Sequence, residues 1–548
     1  MSSVKVIYDN YASDDVVFVH SGRLMMIVNP RRFIEKKEEL INSLTTFAGS
    51  HEEVYLWGAG KLGKYVKDFL EEINIHPKGF IVSKVSNERF YLDLPIMQYD
   101  EMSIYGGIGI VLSLGNQYHE EVLSNSNLDL SHMFIPSQEM YEIMGASQRI
   151  ISDYRVSALE KLFPYKIKLE NISLRDWREI LIICIENIGD VIMYLPFIRE
   201  LRKNCALDVN ITVVVQPQVK IFMELCPYID TVIVYDYRKY FASDIHGAIE
   251  ISKMFSEAHL CQVQYDVVFI QGWYNIHIES LLLAVFSSAT VRVGFSETNM
   301  PAKAILNRNF DKFLSVAIKS TAPMHEVERN LYIVKFLRGK VYSSGLDFWH
   351  TAEDERLASK ILSGVKLGDE GKMIAIVPYA NDPRRVWDKH NYLELLLALH
   401  GINQKNYYLI LGGVETVRIG DYLIKESNIN NIINLAGKTS LGIVSAVIKR
   451  CSLYIGSNTG LTHIAAAWKV PVIEIICHPV GGDPLEYSSP IRYHAWETKY
   501  SIVRPDHALP GCGATCYSET PHCINLIKAD DVLSTIKCEH PGIINSKL

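Results

Sequence analysis

The chain has 548 residues, too many for one hydrophobic core, and the usual domain size of about 100–200 residues points to three or four folding units. Its composition, 48% hydrophobic and 21% charged, excludes the disordered, collagen-like and coiled-coil classes. A formal net charge of −7 excludes a general nucleic-acid binder, because no basic stripe runs along the sequence to track a phosphate backbone.

The opening stretch "MSSVKVIYDNYASDD" has neither the charged n-region nor the apolar h-region of a signal peptide, and no apolar run approaches the roughly 18 residues of a spanning helix. The expectation is a cytoplasmic protein with at most peripheral contact at the inner membrane face. Ten cysteines then read as reduced thiols, most of them in cores; Cys512, Cys516 and Cys523 alone cluster closely in sequence.

In chain order, residues 1–48 mix short strand patterns with a charged helical stretch, "RRFIEKKEELINSLTTF", and read as an N-terminal cap. Residues 49–150 run strand, glycine turn, helix ("KYVKDFLEEI"), strand ("GFIVS") and a further apolar strand ("GIGIVLSLG"), a small α/β Rossmann-like accessory domain. A charged helical connection follows near 146–178. From 178 to 345 the strands are continuous apolar runs, "ILIICI", "NITVVVQ", "DTVIVYD", "YDVVFIQG" and "TVRVGF", separated by helical patterns. Strands buried on both faces read this way, so a parallel sheet covered by helices is predicted. A second such series occupies 365–537, with "MIAIVPYA", "YYLILGG", "NIINLAG", "SLYIGS" and "VPVIEIIC".

"VYLWGAGKLGKYV" supplies Gly58, Gly60 and Gly63 in a G-x-G-x-x-G between strand and helix. In a dinucleotide fold an acidic residue about 20 positions on binds the ribose. Here the second strand ends in Ser83 and Lys84, so the motif reads first as a steric turn with an accessory ligand loop as its functional alternative, and a nicotinamide enzyme as a remoter one.

The chemistry lies further on. In "ENIGDVIMYLPFIRELRKN" a buried strand ends at Ile185 and Asp190 stands at the start of a helix, where open α/β sheets bind ligands and where helix N–H groups keep a carboxylate ionised; a plain helix cap is the alternative. In "IGSNTGLTHIAAAWKVPV" Asn458 reads as the N-cap, with Thr459, Gly460 and His463 forming a diphosphate cradle or, alternatively, simple capping beside a satisfied histidine. "VPYANDPRRVWDKHNY" puts Arg384 and Arg385 in a loop after a strand, as bidentate phosphate ligands or as solvated loop residues. "LILGGVETV" puts Glu415 past another strand end, within reach of a ribose or base.

Together these stretches resemble the ADP-heptose:lipopolysaccharide heptosyltransferases and their relatives. The similarity runs through "IGDVIMYLPFIRELRK", "YDVVFIQG", "TVRVGF", "HEVERNL", "VPYANDPRRVWDKHNY", "GGVET", "SNTGLTHIAAAWKVPV" and "CGATCYSETPHCINL", in order, from about 178 to 537. The resemblance implies a GT-B fold, two Rossmann-like lobes facing a cleft, with 178–345 on the acceptor side and 365–537 binding the donor. It implies Asp190 as general base of an inverting transfer, Arg385 and Arg384 beside the donor phosphates, Glu415 on the nucleotide, and Asn458, Thr459, Gly460 and His463 around the diphosphate. It implies no cofactor, a nucleotide-diphosphate sugar as donor, ADP-heptose by default, and a glycan, lipid-linked glycan such as lipopolysaccharide core, or protein as acceptor; self-association is left open. The family usually has D-T-G where this chain has Asn458-Thr459-Gly460, so one carboxylate is lost. A non-catalytic or regulatory sugar-nucleotide binder is therefore the competing reading.

In "GCGATCYSETPHC" three thiols with His507 or His522 offer a tetrahedral donor set for zinc or iron. Some protein-modifying members of the family have cysteine-bound iron in this stretch. The C-x3-C-x6-C spacing matches no standard zinc motif, and no metal is expected here.

Overall fold

The computed structural model describes residues 16–20, 23–28, 30–59, much of 61–136, 166–168 and, with short breaks, 172–544. Gly60, Ser83 and Lys84, and most of the helical connection expected near 146–178, lie outside the described residues.

Strands β1 (Val16–His20) and β2 (Arg23–Val28) pair as an antiparallel hairpin. The charged stretch that follows is helix α1 (Pro30–Gly49), whose Leu40 and Leu44 are buried with Val54, Leu56, Phe69 and Phe80. Phe69 lies on the helix after the first strand of the next sheet, and the other partners belong to that sheet, made of β3 (Glu53–Trp57), β4 (Phe80–Val82), β5 (Phe90–Tyr91), β6 (Leu94–Gln98), β7 (Ile108–Leu112) and β8 (Met133–Phe134), in the order β5-β6-β4-β3-β7-β8. Helix α1 thus packs into the small Rossmann-like unit, because a helix with apolar residues four apart must bury that stripe. The G-x-G-x-x-G joins β3 to helix α2 (Lys61–Glu72).

The next sheet comprises β9 (Glu179–Cys184), β10 (Asn210–Val215), β11 (Thr231–Val234), β12 (Val267–Ile270), β13 (Val291–Phe295) and β14 (Val316–Ile318), all parallel, in the order β11-β10-β9-β12-β13-β14. The last comprises β15 (Met373–Val377), β16 (Tyr407–Ile410), β17 (Ile432–Asn434), β18 (Leu453–Gly456), β19 (Val472–Ile475) and β20 (Tyr500–Val503), in the order β17-β16-β15-β18-β19-β20. Both are the 3-2-1-4-5-6 arrangement of a doubly wound fold, whose chain reversal between the first and fourth strands opens a crevice at the strand C-terminal ends. The apolar runs forecast the inner strands. The edge strands β14 and β20 escaped, being three and four residues long and flanked by polar segments.

Both crevices face the same junction. Helix α3 (Ile188–Asn204) leaves β9, and helix α5 (Gly460–Ala467) leaves β18. A methyl group added to Gly460 would lie 2.8 Å from Ile188 Cγ2, and one added to Gly189 would lie 2.9 Å from His463 Cδ2, so the two helix starts touch. One buried apolar cluster continues beneath them, from Ile180 and Val191 in the first lobe to Val377 and Ile464 in the second. Between the lobes, helix α4 (Glu326–Phe336) presents its N-terminus to the segment after β19. His325 Nε2 lies 2.9 Å from the His494 carbonyl, and Arg492 Nε donates to Glu326 Oε1 at 2.8 Å. The connecting segment is pinned on α3: Arg199 donates to the carbonyls of Gly345 and Ser343, each at 2.8 Å, while the Tyr342 N–H donates to Glu200 at 2.6 Å.

Candidate active site between the lobes

Asp190 sits in the first turn of α3. The N-cap of that helix is Asn187, so Asp190 is not the plain cap of the alternative reading. Its backbone carbonyl accepts from Gln271 Nε2 at 2.8 Å, and Gln271 Oε1 in turn accepts from the Cys184 thiol at 2.6 Å, which fixes the turn between β9 and β12. Burial raises the Asp190 carboxyl to about 7, with the like charges of Glu186 and Glu326 adding to the shift. Arg492 and a hydrogen bond from Asn187 oppose it. A carboxylate poised there is suited to accept a proton near neutrality.

Directly opposite stands the turn from β18 into α5. The N-cap is Thr459, one residue later than the Asn458 cap expected, because the Thr459 N–H donates to Thr462 Oγ1 at 3.0 Å and both threonine hydroxyls lie against Tyr454 OH. His463 is buried, and burial lowers it to about 3, so the imidazole is neutral. Among the described residues its Nδ1 has no hydrogen-bond partner. The satisfied histidine of the alternative reading is not what is found.

The two arginines after β15 part ways. Arg384 is buried: its Nη2 is 2.7 Å from Asp382 Oδ2 and its Nη1 donates to the Cys516 carbonyl at 2.8 Å, so it serves as a strut. Asp382 is held at about 2 by these guanidinium groups against the cost of its burial. Arg385 shares Asp382 at 3.3 Å and reaches across to the Asn458 carbonyl, also at 3.3 Å, which lays its guanidinium along the cradle turn. Glu415 is exposed in the turn Val414–Thr416 beyond β16, at the third strand tip of the row β16, β15, β18.

Sequence reasoning passed over three participants. Glu474 is a buried carboxylate on β19, and the lone charge inside "VPVIEIIC" was its signal. Gln271 follows an apolar strand without any distinguishing pattern. Arg492 is fully buried with its guanidinium 4.8, 4.9 and 4.7 Å from the rings of Trp273, Tyr274 and Tyr493.

Beside Arg384, the C-terminal thiols converge. His522 Nδ1 lies 3.4, 4.0 and 3.6 Å from the sulfurs of Cys512, Cys516 and Cys523, and the first two sulfurs are 3.9 Å apart. All four donor atoms lie within 4.8 Å of one another. A tetrahedral site with metal–sulfur bonds of about 2.3 Å and metal–nitrogen bonds of about 2.1 Å has edges of about 3.5–3.8 Å, so this donor set fits a thiophilic ion. Spacing along the chain argued against a metal, yet the fold brings together four donors, with His522 rather than His507 as the imidazole.

Comparison with known proteins follows the same geometry. Residues 256–507 match the family model of glycosyltransferase family 9 (heptosyltransferase). That match covers a little under half of the chain. Lipopolysaccharide heptosyltransferase 3 of Escherichia coli (strain K12) is 28% identical over 160 residues, covering 28% of this chain and 43% of that protein. Lipopolysaccharide heptosyltransferase 2 of the same organism is 26% identical over 163 residues, 28% of this chain and 45% of the relative. The chain thus spans less than half the length of these curated relatives. A solved family 9 glycosyl transferase from Veillonella parvula DSM 2008 superposes with a TM-score of 0.53 at 18% identity, covering 67% of this chain and 98% of that one. The fold of the two lobes is accordingly GT-B. Asp190 lies well before the matched segment and the thiol cluster just after it.

Proposed function

We propose that the two lobes together form an inverting glycosyltransferase that moves a heptose-like sugar from a nucleotide-diphosphate donor, ADP-heptose by default, to a hydroxyl of a glycan, lipopolysaccharide core or protein. The observation that carries this reading is the meeting of two helix N-termini, one bearing Asp190 and the other the Thr459, Gly460 and His463 turn. Asp190 accepts the proton of the acceptor hydroxyl as its oxygen attacks the anomeric carbon. The bond from that carbon to the diphosphate breaks, and the phosphate oxygen keeps the electron pair. Its growing charge is met by Arg385, by the N–H groups at the start of α5 and by the neutral His463, which together do the work of a divalent ion in the donor site. Glu415 is proposed to hold the nucleoside. Cys512, Cys516, His522 and Cys523 would hold one metal ion through four protein ligands, which leaves it a structural tie for the loop that carries the Cys516 carbonyl.

No described helix is long and apolar enough to cross a membrane. We place the reaction in the cytoplasm, with lipid-linked acceptors met at the inner membrane face. The deciding experiment is Asp190→Asn. Transfer measured with ADP-heptose should fall by about 10²–10⁴-fold while the dissociation constant for ADP stays within about threefold. Full transfer activity in that variant would remove Asp190 as the base.

A further inference from the structure

Asn458 occupies the turn where a carboxylate would have been expected to serve the donor. Its side-chain amide donates to Glu474 Oε2 at 2.9 Å and to the Tyr493 carbonyl at 2.5 Å, and Glu474 Oε1 accepts the Ala495 N–H at 2.5 Å. Glu474 stands opposite Gly456 in the β18–β19 register, so its carboxylate lies beneath the cradle turn, with 1% of the residue exposed. The Asn458 amide and the Ala495 N–H that it accepts from are neutral donors. Burial lifts it to about 7, and the buried Tyr454 phenol on β18 feels its charge.

The same turn holds Arg385 from two sides. The Asn458 carbonyl accepts from Arg385 Nη1 at 3.3 Å, and the Ser457 hydroxyl donates to the Arg385 carbonyl. On the far side, the 493–495 segment that Asn458 and Glu474 grip at both ends has His494 at its centre, whose carbonyl faces His325 of the other lobe. We propose that Asn458 and Glu474 form one positioning unit, in which the carboxylate has moved from the turn to the strand behind it. Glu474 fixes the Asn458 amide, and Asn458 fixes Arg385 and the lobe junction. An amide at 458 is favoured as long as 474 is a carboxylate, since an aspartate would set a second carboxylate about 3 Å from the buried Glu474, where both cannot readily ionise.

The inference rests on the proposed donor site only for its effect on Arg385; the pairing stands on its own. The experiment is a four-member cycle of wild type, Asn458→Asp, Glu474→Gln and the exchanged double variant, read by thermal melting at about pH 6 and about pH 8 and by titration with ADP. Asn458→Asp should lower the melting temperature by roughly 5 °C at pH 8 and by less at pH 6, where the two carboxylates share a proton. The exchanged variant restores a hydrogen bond of opposite polarity between 458 and 474 but leaves the Tyr493 carbonyl without its donor, so it should recover about half of the loss at pH 8. ADP affinity should fall about tenfold in Asn458→Asp and recover in the exchange. A double variant that melts no higher than Asn458→Asp overturns the pairing. ADP affinity equal in all four proteins overturns the link to Arg385. A wild type that does not bind ADP removes the donor-site reading instead, and the melting cycle still decides the pair.

Discussion

Two strand-to-helix glycine turns, 58–63 and 456–463, look alike in sequence and differ in what their missing side chains make room for. In the first, Gly58 has φ of +119°, and a methyl group on Gly63 would lie 2.1 Å from the Gly58 carbonyl oxygen. That carbonyl, with the one at Trp57, already accepts the Ser113 hydroxyl, each at 2.9 Å. The glycines there are demanded by the turn's own backbone. In the second, Gly460 yields to Ile188 of the other lobe, and His463 retains an unpartnered nitrogen among the described residues. A glycine motif therefore identifies a close approach, and only the identity of the approaching group distinguishes a fold constraint from a ligand site.

That contrast can be broken at several points. The largest effect is on pH: Asp190 must be ionised to take a proton, and its carboxyl is raised to about 7, so transfer should fall about tenfold per pH unit below 7 and level off above it. A profile flat down to pH 5 would move the base elsewhere. Next, Arg385→Ala should weaken ADP binding by about tenfold or more through the loss of a charge-assisted contact, whereas Arg384→Ala should show itself mainly in melting temperature. Equal losses of ADP affinity from both would mean that the two guanidinium groups had been wrongly separated. The smallest effect on the proposed chemistry belongs to the other turn. Gly63→Ala should destabilise the N-terminal unit by about 1–3 kcal/mol, seen by hydrogen exchange in β3 and α2, yet leave ADP affinity within about twofold. A loss of ADP binding there would make that turn part of the donor site.

Much of this was legible in the sequence because both lobes are built from strands buried on two faces, whose apolar runs stand out, and because ligand-side residues follow such runs immediately. Asp190, Thr459 and Gly460 were singled out that way, and the fold brings their two turns together. Sequence does not say which way a guanidinium turns, so Arg384 and Arg385 could not be told apart until Asp382 and the Cys516 carbonyl were seen to hold the first. Glu474 was hidden by its neighbours: inside "VPVIEIIC" a single charge is overshadowed by the strand pattern, although a buried charge always requires a partner. The convergence of the thiols was not legible for a related reason, since spacing along the chain measures separation through the backbone and His522 closes the set through space.

Trp273 offers a different kind of access to the molecule. Its indole lies against two guanidinium groups, Arg329 of its own lobe at 3.7 Å and Arg492 of the other at 4.8 Å. A cation over an indole face perturbs its emission, and here one of the two cations travels with the opposite lobe. The fluorescence of this one tryptophan, isolated by difference against Trp273→Phe, is thus a built-in gauge of lobe separation that needs neither a label nor knowledge of the acceptor.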